Sequence, residues 1–319
     1  MSLPLDPPLA PQLARSAKEL PRGKGWRYEP KWDGFRTLVF RDGNDVHLQS
    51  RNGKEMNRYF PEVIEHVLAL PEQRLVLDGE IIVVVNGVQE FDLLGQRIHP
   101  AKSRVERLAG ETPASYVAFD LLAHDAESLL ELPYNERRER LPAVVGDPVQ
   151  LTPMTDDPEG AGGWLTGSSE GVIAKQGDAS YRPGERTGMV KIKRVRTADV
   201  VVQAFRMGKE EGTVGSLILG LHDDEGGLVV VGHTSGFTAK QKRELLGFLE
   251  PYRTYERGAG EPSRWKSSED LVWEGLRPEL VCEISFDHIT GHRIRHGAKL
   301  LRWREDKNPR ECGMEQLRG

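Results

Sequence analysis

The chain has 319 residues, 38% of them hydrophobic and 29% charged, with a formal net charge of −5. That length exceeds a typical single domain and that composition supports packed cores, so a two-domain globular protein is expected. The longest uninterrupted apolar run, Ile81 to Val85, falls far short of the roughly 20 residues of a membrane-spanning helix, which excludes such a helix and a membrane partner.

The proline-rich start (Pro4, Pro7, Pro8, Pro11) lacks the layout of an export signal, and Cys282 and Cys312 lie far apart without metal-ligand spacing. A disulfide framework or cysteine zinc site is therefore not expected, and a cytoplasmic protein is. Net acidity runs against a nucleic-acid binder, but the distribution does not. Arg182, Arg186, Lys191, Lys193, Arg194 and Arg196 cluster around one acid, Glu185. Arg293, Arg295, Lys299, Arg302, Arg304 and Lys307 form a second cluster with Glu305 and Asp306. Such clusters can hold phosphates while the remaining surface stays acidic.

Residues 1 to about 25 read as an irregular lead-in. Thr37–Phe40, Val46–Gln49, Leu75–Val85, Tyr116–Leu121 and Gly171–Lys175 read as strands. Pro61–Leu70 has apolar residues at helical spacing, and Tyr134–Leu141 predicts a charged helix stopping before Pro142. Composition shifts near Thr197. Beyond it, strands predominate at Val200–Arg206, Gly215–Leu221, Leu228–Thr234 and Leu280–Phe286, with a turn at 223–227 and one helix at Lys240–Leu249. A barrel of about five strands plus a helix matches an OB-fold. The expected division is residues 1–196 and 197–319.

Neither glycine-rich nucleotide loop, G-x-x-x-x-G-K-[ST] or G-x-G-x-x-G, is present, so ATP would be handled another way. In Glu29-Pro30-Lys31-Trp32-Asp33-Gly34-Phe35-Arg36, Lys31 sits among apolar and aromatic neighbours, and a lysine becomes nucleophilic when burial or nearby cations lower its pKa. Arg36 is close enough to reach a ribose or phosphate. Ser50-Arg51-Asn52-Gly53 follows a strand, where Arg51 could point into a cleft. In Leu77-Asp78-Gly79-Glu80-Ile81, period-two alternation puts Asp78 and Glu80 on one strand face. Acids in an apolar run are costly unless paired or metal-bound. Glu170-Gly171-Val172-Ile173-Ala174-Lys175 repeats the theme, and Val190-Lys191-Ile192-Lys193 puts two lysines on one face. Acids at 80 and 170 with lysines at 31, 191 and 193 are what phosphoryl transfer needs.

Taken in this order, the motifs resemble the covalent nucleotidyltransferase superfamily of DNA ligases, RNA ligases and capping enzymes. The DNA-ligase branch fits best. Tyr116–Leu122 resembles its strand with an adenine-stacking aromatic, Pro133 to Arg138 its proline followed by paired arginines, and Arg302–Pro309 the last motif of ATP-dependent ligases. The match is most similar to compact bacterial stand-alone ligases of the C type. Two departures stand out. Only about 25 residues precede the first motif, where many larger ligases carry an extra helical DNA-binding domain, so engagement of DNA is expected to depend on the two domains or on a partner, and Met189 stands where a tryptophan is common.

The resemblance implies an α+β protein. A nucleotidyltransferase (ATP-grasp-like) domain, with antiparallel sheets and flanking helices, precedes an OB-fold β-barrel. It implies that Lys31 attacks the α-phosphate of ATP, forming lysyl-AMP. Glu29, Arg36, Arg51, Glu80 and Phe119 would bind the nucleotide, with Phe119 on adenine. Glu80 and Glu170 would hold Mg²⁺ or Mn²⁺, and Lys191 and Lys193 would neutralise the α-phosphate. Asp33 and Asp78 would orient neighbours. Arg304, Asp306 and Lys307 would orient the leaving pyrophosphate as the OB domain closes. Arg51, Arg182, Arg186, Arg194 and Arg196 would contact DNA. The expected partner is nicked duplex DNA, with DNA repair proteins besides. The chain is expected to be a nucleoid-associated monomer.

Three readings compete. A capping-type guanylyltransferase would use GTP, and Phe119–Leu122 with the Pro133 segment argues against it. The motif at 302–309 argues against most RNA ligases. A silent OB binding module has no need for Lys31 facing metal-binding acids. His288, His292 and His296 recur every four residues, but in β-rich sequence that spacing does not predict a metal site.

Overall fold

A computed structural model describes residues 3–166, 169–259, 272–287, 289–295 and 297–317; His288 and His296 lie outside them. The chain divides into two compact units, Met1–Arg194 and Val195–Gly319.

In chain order, the first unit contains strands β1 (Arg15–Ala17), β2 (Trp26–Pro30), β3 (Phe35–Asp42), β4 (Asp45–Ser50), β5 (Arg74–Ile82), β6 (Val84–Val85) and β7 (Val88–Gln89). It continues with β8 (Ser115–His124), β9 (Glu127–Ser128), β10 (Gln150–Leu151), β11 (Gly171–Gln176) and β12 (Met189–Lys193). Its helices are α1 (Pro61–Leu68), α2 (Phe91–Arg97), α3 (Lys102–Glu111), α4 (Tyr134–Val144) and α5 (Pro158–Thr166). These strands build two main sheets, ordered β10-β8-β5-β3-β4, with β9 on β8, and β1-β12-β11-β2. Both are antiparallel except where β10 joins β8 and β1 joins β12.

β5 and β8 are central in the larger sheet and buried on both faces along most of their length, which is why they read as near-continuous apolar runs. On one side, Val63 and Val67 of α1 pack with Leu48, Leu75, Leu77 and Leu121. α1 is short, and its end is secured from the sheet: the Arg41 guanidinium donates to the carbonyls of Val67, Leu70 and Glu72, each at 2.8 Å. Carbonyls at a helix C-terminus lack intrahelical donors, and a cation there satisfies them. α1 and α2 are joined by a buried pair, Arg97 Nη1 to Glu62 Oε1 at 2.7 Å.

The second unit has β13 (Arg196–Met207), β14 (Val214–His222), β15 (Leu228–Thr234), α6 (Ala239–Leu249), β16 (Arg253–Ala259), β17 (Val272–Leu276) and β18 (Val281–Phe286). Then come β19 (Ile289–Thr290), β20 (Arg293–Ile294) and β21 (Lys299–Trp303). Long β13 carries β14 on one edge and shares the other between β18 and β17. The sheet curls around a core of Val200, Val202, Leu217, Leu219, Val231 and Ile284. α6 lays Leu245 and Leu249 into that core. Its start is a capping box, Thr238 with Gln241, reciprocal side-chain bonds that satisfy helix-start donors.

The α+β class, the antiparallel sheets with flanking helices and the curled OB-type sheet agree with expectation. Several details differ. Seven strands, not about five, share the curled sheet, because β13 is long enough to serve two partners in succession on one edge. α4 runs through Pro142 to Val144. The proline falls in the last turn, and buried Leu141 and Val144 hold that turn against the sheet. The lead-in contains β1, paired in parallel with β12. No helix among the described residues is long and apolar enough to cross a membrane.

Candidate active site

Lys31 lies in the connection between β2 and β3. Its main chain is clamped on both sides: its N–H donates to the Gly171 carbonyl at 2.9 Å, and its carbonyl accepts from the Glu170 N–H at 3.2 Å. That clamp brings Lys31 beside the start of β11, where its ammonium pairs with Glu170 Oε2. The other Glu170 oxygen lies 3.4 Å from Lys193 Nζ on β12. β11 and β12 approach closely here. A Cβ on Gly171 would sit 2.1 Å from the Ile192 carbonyl oxygen, so this position admits only glycine.

These groups line a cavity of about 450 Å³ between the two sheets of the first unit. β3 contributes Arg36, β5 Glu80 and β8 Phe119; β11 contributes Ile173 and Lys175, and β12 Met189, Lys191 and Lys193. Period-two alternation explains the choice, since residues 173 and 175, and 189, 191 and 193, share faces. Arg51 and Arg186 line it from exposed positions. Lys191 has its pKa pulled down, first by burial and then by Lys31, Lys193 and Arg51. Burial pushes the Glu80 carboxyl up to about 8, although Arg36 and Lys31 oppose the shift. In the free protein at neutral pH it therefore carries its proton.

Behind Phe119 lies a polar layer. Buried Glu29 accepts from the Tyr134 hydroxyl and pairs with Lys175 Nζ at 2.9 Å. Lys175 also donates to the Phe119 carbonyl at 3.2 Å and sits 4.8 Å from that ring's centroid. Arg36 lies 4.7 Å from the same centroid and grips buried Asp78, with Nε to Oδ1 and Nη2 to Oδ2 both at 2.5 Å. Asp78 thus orients Arg36.

Lys31, Glu29, Arg36, Arg51, Glu80, Phe119, Glu170, Lys191, Lys193 and Arg186 all line one cavity. Other expected residues do not. Arg182 pairs with Glu131 on the surface at 3.1 Å. Arg194 is tied to Glu170 through its main chain, N–H to carbonyl at 3.0 Å, and its side chain does not line the cavity. Arg196 donates to the Leu317 carbonyl at 2.7 Å and covers Phe286, within the second unit. Also in that unit, Arg304 donates to Asp199 at 2.8 and 3.0 Å and to Asp306 at 2.9 Å, and Lys307 pairs with Glu311 at 3.3 Å. The Arg304 bond draws the Asp306 pKa down to about 2.

Half of the lining residues were absent from the sequence-based set, among them Pro30, Trp32, Ile173 and Met189. Lys175 had a signal, since alternation from Ile173 turns it to the cavity. The lead-in residues Pro11, Leu13, Ala14, Arg15 and Ser16 also line the wall, and no pattern in that irregular segment announces it. Among the described residues no group of three or more His, Cys, Asp or Glu could hold a metal. A magnesium ion held by one or two carboxylates, with substrate phosphates and water completing its shell, needs no such group. Glu80 and Glu170 fit that mode.

Residues 7–193 match the family model of the ATP dependent DNA ligase domain, and residues 210–307 that of the ATP dependent DNA ligase C terminal region. The chain is 45% identical over 334 residues to DNA ligase C1 of Mycolicibacterium smegmatis, covering 99% of this chain and 96% of that protein. It is 42% identical over 345 residues to DNA ligase C of Mycobacterium tuberculosis, with the same coverage of 99% and 96%. The crystal structure of the ligase domain of M. tuberculosis LigD superposes with a TM-score of 0.52 at 29% identity, covering 95% of this chain and 97% of that one. A lysine that shares one acid with a second lysine, on the wall of a cavity rich in cationic side chains, is therefore found in a chain that belongs to the ATP-dependent DNA ligase family, of the compact bacterial C type.

Proposed function

We propose that this ligase seals nicks in duplex DNA through an AMP carried on Lys31, in three in-line displacements. Lys31 Nζ, once it has given up its proton, forms a bond to the α-phosphorus of ATP as the bond to pyrophosphate breaks. An oxygen of the nick's 5′-phosphate then attacks that phosphorus and expels Lys31. Finally the 3′-hydroxyl, losing its proton, attacks the 5′-phosphorus and expels AMP. Such steps depend on alignment and charge neutralisation more than on a strong base.

The observation that carries this reading is the double main-chain clamp on Lys31 beside Glu170, at the wall shared with Lys191 and Lys193. Lys191 and Lys193 neutralise the α-phosphate. Arg36 and Arg51 contact sugar or phosphate, and Glu80, protonated, donates to a ribose hydroxyl. Phe119 offers its ring to adenine. Glu170, and Glu80 once it has released its proton, would hold a magnesium ion, which would supply charge neutralisation at the phosphates. Arg304, Asp306 and Lys307 orient pyrophosphate during the first step. For Arg304 this requires release from Asp199 and Asp306. Arg51 and Arg186, exposed at the same cavity, are the DNA contacts that the geometry favours over Arg182 and Arg196. Repair of DNA nicks is the setting we propose for this activity. A strain lacking the protein would then retain more unsealed nicks after damage, and unchanged nick levels would remove this role.

The test is protein labelling with α-labelled ATP, and separately GTP, in Mg²⁺, using protein stripped of bound AMP by pyrophosphate. Label from ATP should appear on the wild type, vanish in Lys31→Ala and chase onto nicked DNA. Label from GTP alone would replace this reading with guanylyl transfer.

A further inference from the structure

Arg36 belongs to a closed hydrogen-bonded ring. Its Nε and Nη2 both go to Asp78, and Nη2 also reaches the Gln12 carbonyl at 3.4 Å. The Gln12 N–H donates to the Tyr181 hydroxyl at 2.9 Å, and that hydroxyl donates to Asp78 Oδ2 at 2.7 Å. Asp78, Tyr181 and Gln12 are all buried. The Tyr181 ring is backed by Arg137, whose guanidinium carbon lies 5.6 Å from its centroid. Gln12 is tied in turn by its side chain, Nε2 to the Thr187 carbonyl at 2.6 Å. One ring thus joins the lead-in, β3, β5 and the segment between β11 and β12.

The ring uses two of the three guanidinium nitrogens; Nη1, on a residue that lines the cavity, has no hydrogen-bond partner among the described residues and is left for a ligand. The two parallel bonds fix the carboxylate and guanidinium planes relative to each other but leave carboxylate lone pairs open. A third donor from another segment fills one of them and ties the pair as a unit to the surrounding fold. We propose that Tyr181 is a positioning residue for the ligase reaction, its hydroxyl and the Gln12 backbone locking Asp78 so that Arg36 meets the nucleotide already oriented. The proposal rests on the reading above in which Arg36 touches the nucleotide. Preorganised donors lower a barrier because no reorganisation is needed as charge develops.

The test is a double-mutant cycle on adenylation of the full chain, with Tyr181→Phe, Arg36→Lys and the pair, measured as kcat/KM for ATP beside the thermal midpoint. Tyr181→Phe keeps the ring and its packing and removes one O–H. It should lower kcat/KM about tenfold in the wild-type background, a change worth about 1.4 kcal/mol, and leave it nearly unchanged in Arg36→Lys. Equal losses in both backgrounds would make Tyr181 a general structural residue and overturn the proposal. So would an unchanged Tyr181→Phe. If Arg36→Lys itself adenylates like wild type, the reading of Arg36 as a nucleotide contact fails first, and the proposal falls with it. A Tyr181→Phe chain that loses its folded midpoint would be replaced by Gln12→Pro, which deletes the Gln12 N–H together with its side-chain bond to Thr187. An equal loss of kcat/KM from that variant in the wild-type and Arg36→Lys backgrounds would likewise overturn the proposal.

Discussion

Glu80 keeps a proton where an exposed glutamate would have lost it, because burial outweighs the pull of Arg36 and Lys31. Its carboxyl ordinarily titrates near 4.5 and here near 8, so the folded state binds more protons than the unfolded one between those values. Stability from this group is therefore full below about pH 4.5 and falls as pH rises toward 8. In metal-free buffer, Glu80→Gln should flatten that slope and stabilise the protein relative to wild type at pH 8, by an amount on the order of a few kcal/mol. Chemical denaturation at pH 5 and pH 8 reads it; parallel pH profiles would show that Glu80 is already ionised. The same substitution should weaken nucleotide binding less than Glu80→Ala, since an amide still donates to a hydroxyl.

The strands place their side chains by approaching closely. Gly171 lets β11 lie against β12, and this contact keeps Glu170 within reach of both Lys31 and Lys193. Gly171→Ala should force the strands apart, cost about 1–3 kcal/mol as overpacking does, and reduce AMP attachment to Lys31 further than the stability loss accounts for. Denaturant midpoints and single-turnover adenylation together test this. At α6 the expectation is purely structural: Thr238→Ala removes the capping box and should cost about 1 kcal/mol without altering adenylation at 25 °C. A change in adenylation rate there would mean that α6 takes part in the reaction.

For the molecule as a whole, the two units carry different parts of the proposed cycle. The first holds Lys31 and its cavity, and the second holds Arg304, Asp306 and Lys307. Lys307→Ala should therefore slow adenylation from ATP by tenfold or more while sparing sealing by enzyme already carrying AMP. Equal slowing of both would assign Lys307 to DNA instead. Overall acidity, −5, combined with a cationic cavity rim predicts binding to nicked duplex that weakens steeply with salt. A flat salt response would point away from phosphate-directed contact.

Sequence alone determined the class of fold and the identities of half of the cavity-lining residues, through local alternation and through the resemblance its motifs carry. Alternation along β5, β11 and β12 placed Glu80, Lys191 and Lys193 on common faces, and strand-forming runs marked the sheets. It determined nothing about Gln12 or Tyr181, nor about the wall built by Pro11 to Ser16. Gln12 and Tyr181 sit outside the regular elements, and Gln12 comes within reach of Arg36 and Tyr181 as β1 docks on β12 across a separation of more than a hundred residues. Tertiary structure also sorted the arginines. Arg186 lines the cavity while Arg182, four residues before it, pairs with Glu131, and Arg196 is spent on Leu317. Charge is visible in a sequence, but which charge is left free is decided by the partners that folding brings within hydrogen-bonding distance.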